Sequence, residues 1–147
     1  MLKSLFITVA LLGISVSTAT RAQEVPSTLK NHMYQMGYLM DEIWVKATDP
    51  TKHVEAAEKV SELRGHLTKA IGLMPPKVQA MTNKVDQRLA MIEYHQLLSR
   101  VIYLSASLEN TLLRPNLEPT SQSKEKDIQN LLKEISVIVG RGHAKFR

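Results

Sequence analysis

The chain has 147 residues, a formal net charge of +5 and no cysteine, and 44% of its residues are hydrophobic. A chain of this size can form one domain with its own core. The lack of cysteine excludes disulfides, thiolate metal sites, iron–sulfur clusters and haem attached covalently through C-x-x-C-H. Lys and Arg residues do not cluster with aromatic residues, so nothing in the sequence indicates nucleic-acid binding.

The first 22 residues have the pattern of a secretory signal peptide. Lys3 gives a positive start, the apolar run LFITVALLGISV follows, and small and polar residues lead to Ala22. This run is short for a membrane span, and no similar run follows it. We therefore expect export to the periplasm, cleavage after Ala22, and a mature domain over residues 23–147 with a net charge of +3 and no membrane span.

The first predicted helix lies in STLKNHMYQMGYLMDEIWVKA, with Ser27 as its N-cap behind Pro26. Its apolar residues are spaced alternately by four and three, which predicts a seam that packs against other helices. These residues are Leu29, Met33, Met36, Met40, Ile43 and Ala47.

Two further helices are predicted between Asp49 and Pro115. Asp49-Pro50 is a cap and first-turn pair for the second helix, which stops before Pro75-Pro76. The apolar positions of the second helix are Val60, Leu63, Leu67 and Ile71. Those of the third are Val85, Leu89, Ile92, Val101, Leu104, Leu108 and Leu112. Residues 77–83 can be either loop or helix.

A polar, proline-bearing linker, RPNLEPTSQS, precedes the fourth predicted helix, which begins near Ser121 or Ser123. Its apolar stripe runs through Ile128, Leu132, Ile135 and Val139, and the next step of four falls on His143. His143 belongs to the helix only if the helix continues through Gly140 and Gly142; otherwise the end of the chain is a frayed tail. Four helices with mostly short connections predict an all-α, antiparallel up-down-up-down four-helix bundle.

The bundle topology brings two possible ligands to the same end. Met33 lies about 9 Å from the predicted start of the first helix, and His143 lies about 6 Å from the end of the chain. Met36 is a second choice. Each residue also has an ordinary role, because methionine fills gaps in bundle cores and a histidine near a helix C-terminus favours the helix dipole.

Three short segments of the sequence, in their order and spacing, resemble those of a known family. They are LKNHM (29–33), an arginine at position 64 that precedes PPK (75–77) by eleven residues, and HAKFR (143–147). With the signal peptide and the four helices, the chain resembles the cytochrome b562 family. The resemblance implies one noncovalent haem b per chain, axial ligation by Met33 and His143, and electron transfer with redox partner proteins. The chain departs from the family pattern at Val139 and Gly142, where an arginine and an aromatic residue are expected.

An alternative interpretation is a haem-free exported bundle that binds other proteins as an adaptor, inhibitor or holdase. Its seven methionines and long third helix suit an adaptable apolar surface. The remaining histidines lack the spacing of a zinc site: His32 lies about 100° from Met33, and His53, His66 and His95 are expected at the surface or satisfied locally. No nucleophile–base pair is evident, so we expect a monomeric carrier and not an enzyme.

Overall fold

The computed structural model describes residues 28–115 and 121–146, so the predicted signal peptide lies outside the described residues. The described chain is helical and contains no strand. Its elements are α1 (Leu29–Ala47), a 3-10 turn (Pro50–Lys52), α2 (His53–Ile71), α3 (Pro76–Gln79), α4 (Lys84–Leu113) and α5 (Ser121–Phe146). The four long helices form a four-helix bundle, which confirms the predicted fold class. None of the described helices has the length and apolar character needed to cross a membrane.

Local side-chain caps set where the helices begin. Thr28, one residue after the predicted Ser27, accepts a hydrogen bond from the Asn31 amide at 3.3 Å and caps α1. Asp49, which was predicted to cap the second helix, caps the 3-10 turn that precedes it, accepting from the Thr51 amide at 3.0 Å, while α2 itself begins at His53 without a side-chain cap. Asn83 caps α4 in the same way, so the segment left open by the sequence resolves into short α3 followed by a capped start. Each cap satisfies an amide that has no partner within its helix.

Contacts between helices show that α1 and α2 run antiparallel. Lys46, near the end of α1, pairs with Glu55 near the start of α2 at 2.6 Å. At the opposite end, His32 of α1 contacts His66 of α2. The two helices are therefore a hairpin folded at the 3-10 turn.

Helices α4 and α5 form a second antiparallel hairpin. Arg100 of α4 pairs with Glu134 of α5 at 2.5 Å, and the ring of Tyr94 packs on that of Phe146. Tyr94 also joins this hairpin to the end of α2, because its hydroxyl donates to Ala70. The starts of α1 and α4 and the ends of α2 and α5 consequently share one end of the bundle, which we call the His143 end.

The packing between helices is uneven. Pairs α1–α2, α2–α4 and α4–α5 approach closely along their lengths, whereas α1 and α5 are not a closely packed pair. All four long helices nevertheless contribute to one continuous core. The seam between α1 and α5 is thus the loosest of the bundle.

The predicted core face of α4 is wrong in its N-terminal half. Val85, Leu89 and Ile92 are 66%, 58% and 46% exposed, whereas Ala90 and Tyr94 are buried. In the second half of the helix the predicted apolar positions from Val101 onward are buried. Stepping back from Val101 by helical turns leads to Leu98, Tyr94 and Ala90, so the helix keeps one buried face and the early apolar residues lie off it.

Candidate functional site

Helix α5 continues without a break through Gly140 and Gly142 and ends at Phe146. The prediction that the helix includes His143 is confirmed. Phe146 is 7% exposed and packs edge-on against Tyr94, with ring centroids 5.4 Å apart, and Lys145 pairs with Glu93 of α4. These contacts beyond the glycines hold the last turn, and they offset a cost of about 1 kcal/mol for each glycine in a helix interior.

His143 lies at one edge of the buried face of α5. The fully or nearly buried residues of this face are Ile128, Leu132, Ile135, Ile138 and Phe146, whereas His143 and Val139 are half-buried. The α4 side of the helix is marked by Glu134 and Lys145, which pair with α4. At about 100° per residue, His143 lies on the opposite edge. Its side chain therefore turns away from α4 and toward the seam with α1.

Met33 occupies the equivalent edge of α1. The α2 side of α1 is marked by three residues that contact α2, namely His32, Glu42 and Lys46. Met33 is half-buried against the core and lies on the other edge, together with Met40. The centre of the buried face belongs to His32, Met36, Leu39, Ile43 and Ala47. The apolar face predicted for α1 therefore differs from its observed buried face by a fraction of a helical turn. Met33 lies on the edge of α1 that faces the α1–α5 seam.

The contacts of Tyr94 show where the end of α5 lies along the bundle axis relative to α2. Its hydroxyl donates to the Ala70 carbonyl at 2.9 Å, and its ring contacts Phe146. Ala70 and Phe146 therefore lie at about the same level. His143 precedes Phe146 by about one helical turn, and His66 precedes Ala70 by about one turn as well. Along the bundle axis, His143 and His66 are therefore each about one turn further from the end of the bundle.

A pair of histidines places α1 at this same level. His32 Nδ1 and His66 Nδ1 are 3.0 Å apart, with ring centroids separated by 5.2 Å and ring planes inclined at 59°. Since Met33 follows His32 in α1, and His143 lies about one turn before Phe146 in α5, the backbone positions of Met33 and His143 both lie at the His143 end. By helical spacing, each lies on the edge of its helix that faces away from that helix's closely packed partner.

The histidine pair was not foreseen from the sequence. The sequence predicted only that His32 faces away from Met33 and that His66 lies at the surface or is satisfied locally; the contact between them, with His32 6% exposed, was not predicted. Burial is the largest cause that lowers the pKa of His32, and the nearby His66 and Lys69 lower it further. A signal was available, because the two residues lie at nearly equal distances from the predicted turn at Asp49. Antiparallel helices bring such residues face to face.

The other two histidines differ in their surroundings. His53 is 5% exposed, and its Nε2 lies 3.2 Å from the Ala47 carbonyl at the end of α1. His95 is exposed on α4, as expected.

Met33 and His143, at the His143 end, suit a haem in donor type. Thioether and imidazole groups are established axial ligands of haem iron. Gly142 lies between Ile138 and Phe146 on the buried face, and a Cβ added there would meet no atom within 4 Å. Backbone next to His143 is therefore open to close approach by a flat group.

Space for a haem at this level would come from the α1–α5 seam. Two surface depressions are described, one along Ile92–Tyr103 of α4 and the other between Thr111 and Glu134, and neither is lined by Met33 or His143. A bound haem would therefore have to part α1 from α5, which are not a closely packed pair. Lys30 is exposed near Met33, whereas Arg141 lies on the side of α5 away from His143, and Lys145 is already paired with Glu93.

Within the described ranges, no group of three or more His, Asp or Glu residues could hold a metal ion by itself. Comparison of the chain with protein-family models, with curated protein sequences and with solved structures gives no match.

Proposed function

We propose that the protein is an exported, periplasmic electron carrier that binds one noncovalent haem b per chain, with Met33 and His143 as axial ligands. The observation that carries this proposal is the orientation of the two side chains. Both are half-buried, both lie at the His143 end, and helical spacing puts each on the edge of its helix away from the closely packed partner helix, which supports the proposal. The resemblance to the cytochrome b562 family supports the same ligand pair.

Haem, when bound, supplies one-electron chemistry, and the chain provides ligation, burial and charge around it. The soft thioether of Met33 favours the reduced iron and raises the reduction potential relative to harder ligands. His143 is the stronger anchor. Met33 and His143 together would leave no coordination position for oxygen, so the pair favours electron transfer. The exposed cation Lys30 can meet a haem propionate.

The decisive experiment is an absorption spectrum and a redox titration of the mature protein purified from haem-sufficient cells. We expect a sharp Soret band and a low-spin, six-coordinate reduced spectrum. Met33→Ala should retain some haem through His143, become five-coordinate or water-ligated, and fall in potential. His143→Ala should lose most of the haem, because a lone thioether is the weaker anchor.

Two variants serve as matched controls. Met40→Ala removes a methionine from the same edge of α1, about 10 Å deeper in the bundle. His95→Ala removes an exposed histidine from α4. Both should keep the wild-type spectrum and potential. Wild-type spectra in Met33→Ala and His143→Ala would show that these residues are not the ligands, and a colourless wild-type protein would contradict haem binding.

A second candidate function is protein binding without haem. Four apolar side chains on the outer face of α4 are solvent-exposed, namely Val85, Leu89, Ile92 and Tyr103, the last of them 69% exposed. Such a row suits the apolar face of a helix from another protein. This function requires a colourless protein whose partner binding is lost in Leu89→Lys and Ile92→Lys. A Soret band that survives both substitutions would favour the electron carrier.

A further inference from the structure

We propose that His32 and His66 form a second metal site, which binds a divalent late first-row transition ion, Cu²⁺ most tightly, across the start of α1 and the end of α2. The observation behind it is the Nδ1–Nδ1 separation of 3.0 Å between imidazoles carried by two different helices. The site uses neither Met33 nor His143.

The spacing of the two nitrogens matches one edge of a tetragonal coordination site. Two imidazole nitrogens about 2.1 Å from a metal lie about 3.0 Å apart at adjacent corners of a square and about 3.4 Å apart at corners of a tetrahedron. Square-planar and tetragonal geometries with nitrogen and oxygen ligands are typical of Cu²⁺ and Ni²⁺, and Cu²⁺ has the highest affinity in the divalent series. Solvent would complete the coordination.

The helices hold the two imidazoles near this geometry before any ion binds. His32 is almost completely buried, and His66 is half-buried at the edge of the buried face of α2. Since both ligands stand on packed helices, little reorganisation is needed to bring them together. In the hydrogen-bonded pair one Nδ1 carries the proton and the other accepts it. Ion binding replaces this shared proton, which moves to Nε2 of the same ring.

One nearby charge limits the affinity. Lys69 is close enough for its positive charge to act on His32, and it repels a divalent cation in the same way. We therefore expect Lys69→Gln to bind the ion more tightly than the wild type. A nonspecific surface site elsewhere on the chain would not respond to this substitution.

The test is a Cu²⁺ titration of the purified mature protein at pH 7.5, followed by calorimetry and by pulsed electron paramagnetic resonance that counts coordinated imidazoles. We expect one Cu²⁺ per chain with two imidazole nitrogens. Loss of outer-shell groups alone lowers metal affinity about 10- to 100-fold, so loss of a direct ligand in His66→Gln or His32→Gln should lower it by at least about tenfold. His95→Gln is the matched control and should bind as the wild type does.

An unchanged affinity and imidazole count in His66→Gln would overturn the proposal, as would wild-type binding of several ions with a single imidazole each. Circular dichroism checks that the variants fold. If a variant does not fold, the number of imidazoles that coordinate Cu²⁺ in the wild type still tests the proposal. The outcome is separate from that of the haem experiment. A colourless chain with a two-imidazole copper site contradicts only the haem proposal, and a haem protein without that site contradicts only this one.

Discussion

Tyr94 is the residue that joins three helices at the His143 end. It is 4% exposed, its hydroxyl donates to the Ala70 carbonyl at 2.9 Å, and its ring packs against Phe146. Burial raises the pKa of Tyr94 to about 12, so the hydroxyl remains a donor throughout the physiological range. The ring buries the end of α5, and the hydroxyl satisfies a carbonyl in the last turn of α2.

Replacing Tyr94 with Phe should lower the free energy of unfolding by about 1–2 kcal/mol, because the Ala70 carbonyl loses its donor in a buried place. Urea unfolding monitored by circular dichroism measures the change. Tyr103→Phe is the control, since Tyr103 is 69% exposed and should shift stability by less than about 0.5 kcal/mol. Equal effects of the two substitutions would mean that the Tyr94 hydrogen bond contributes nothing.

His53 makes stability depend on pH at the other end of the bundle. Burial first, and then the charge of Lys124, lower its pKa below the usual value. Neutral His53 can donate from Nε2 to Ala47, while its Nδ1 is buried without a partner among the described residues. The pKa of His53 in the folded state lies below its unfolded value of about 6.5. The contribution of neutral His53 to the free energy of unfolding is therefore complete above about pH 6.5 and is lost as the pH falls through the folded-state pKa.

His53→Gln should therefore flatten the decline of stability between about pH 7 and pH 5.5, a window set by the unfolded histidine pKa. Thermal unfolding midpoints across this range measure the slope. His95→Gln, which replaces an exposed histidine, should leave the slope unchanged. If the slope of His53→Gln equals that of the wild type, burial of His53 does not govern this window.

At the scale of the element, α5 gains its last turn from tertiary contacts and not from helix propensity. Gly140 and Gly142 both weaken the helix, yet it reaches Phe146 because Phe146 and Lys145 contact α4. A Cβ added at either glycine would meet nothing within 4 Å. The glycines are therefore not required by crowding in the fold.

Gly140→Ala and Gly142→Ala should each raise the free energy of unfolding by about 0.5–1 kcal/mol, since alanine loses less backbone entropy in a helix. Denaturant unfolding measures this, with Gly65→Ala in α2 as a matched substitution at another open position. If the proposed haem approaches Gly142, the Gly142→Ala protein should also release haem faster than Gly140→Ala. Destabilisation at position 142 would show that the position has no room for a methyl group.

At the scale of the whole molecule, the uneven packing predicts uneven stability. Helices α2 and α4 contact each other extensively and each has a second close partner, whereas α5 has close contacts along its length with α4 alone. Regions with fewer packed contacts open at lower free energy.

Amide hydrogen exchange should therefore be slowest in α2 and α4 and faster in α5, above all in its last two turns. Mass spectrometry of peptides from each helix measures the difference. Haem held between Met33 and His143 would slow exchange at the end of α5 and at the start of α1. Protection of α5 as strong as that of α2 in the haem-free protein would contradict this account of the packing.

The sequence by itself determined the fold class and most helix boundaries. Helical spacing of apolar residues, the Asp49-Pro50 pair and the Pro75-Pro76 stop are local signals, because capping and proline geometry act within a few residues. Helix depths in the predicted bundle paired Met33 with His143, and the resemblance implied the same two ligands. The cap and proline signals depend on residues close together in the chain, whereas the ligand pair depends on the predicted topology.

Only the tertiary structure decided which edge of each helix faces which neighbour. Val85, Leu89 and Ile92 fit a helical stripe but face solvent, while His32, assigned elsewhere, lies in the core beside His66. The apolar stripe of a helix is about 100° wide. If the helix turns about its axis by less than that width, a residue at the edge of the stripe contacts a different neighbouring helix, although the sequence pattern is the same. The position of Met33 and His143 on the α1–α5 seam is set by where α2 and α4 lie, and spacing within one helix carries no information about that.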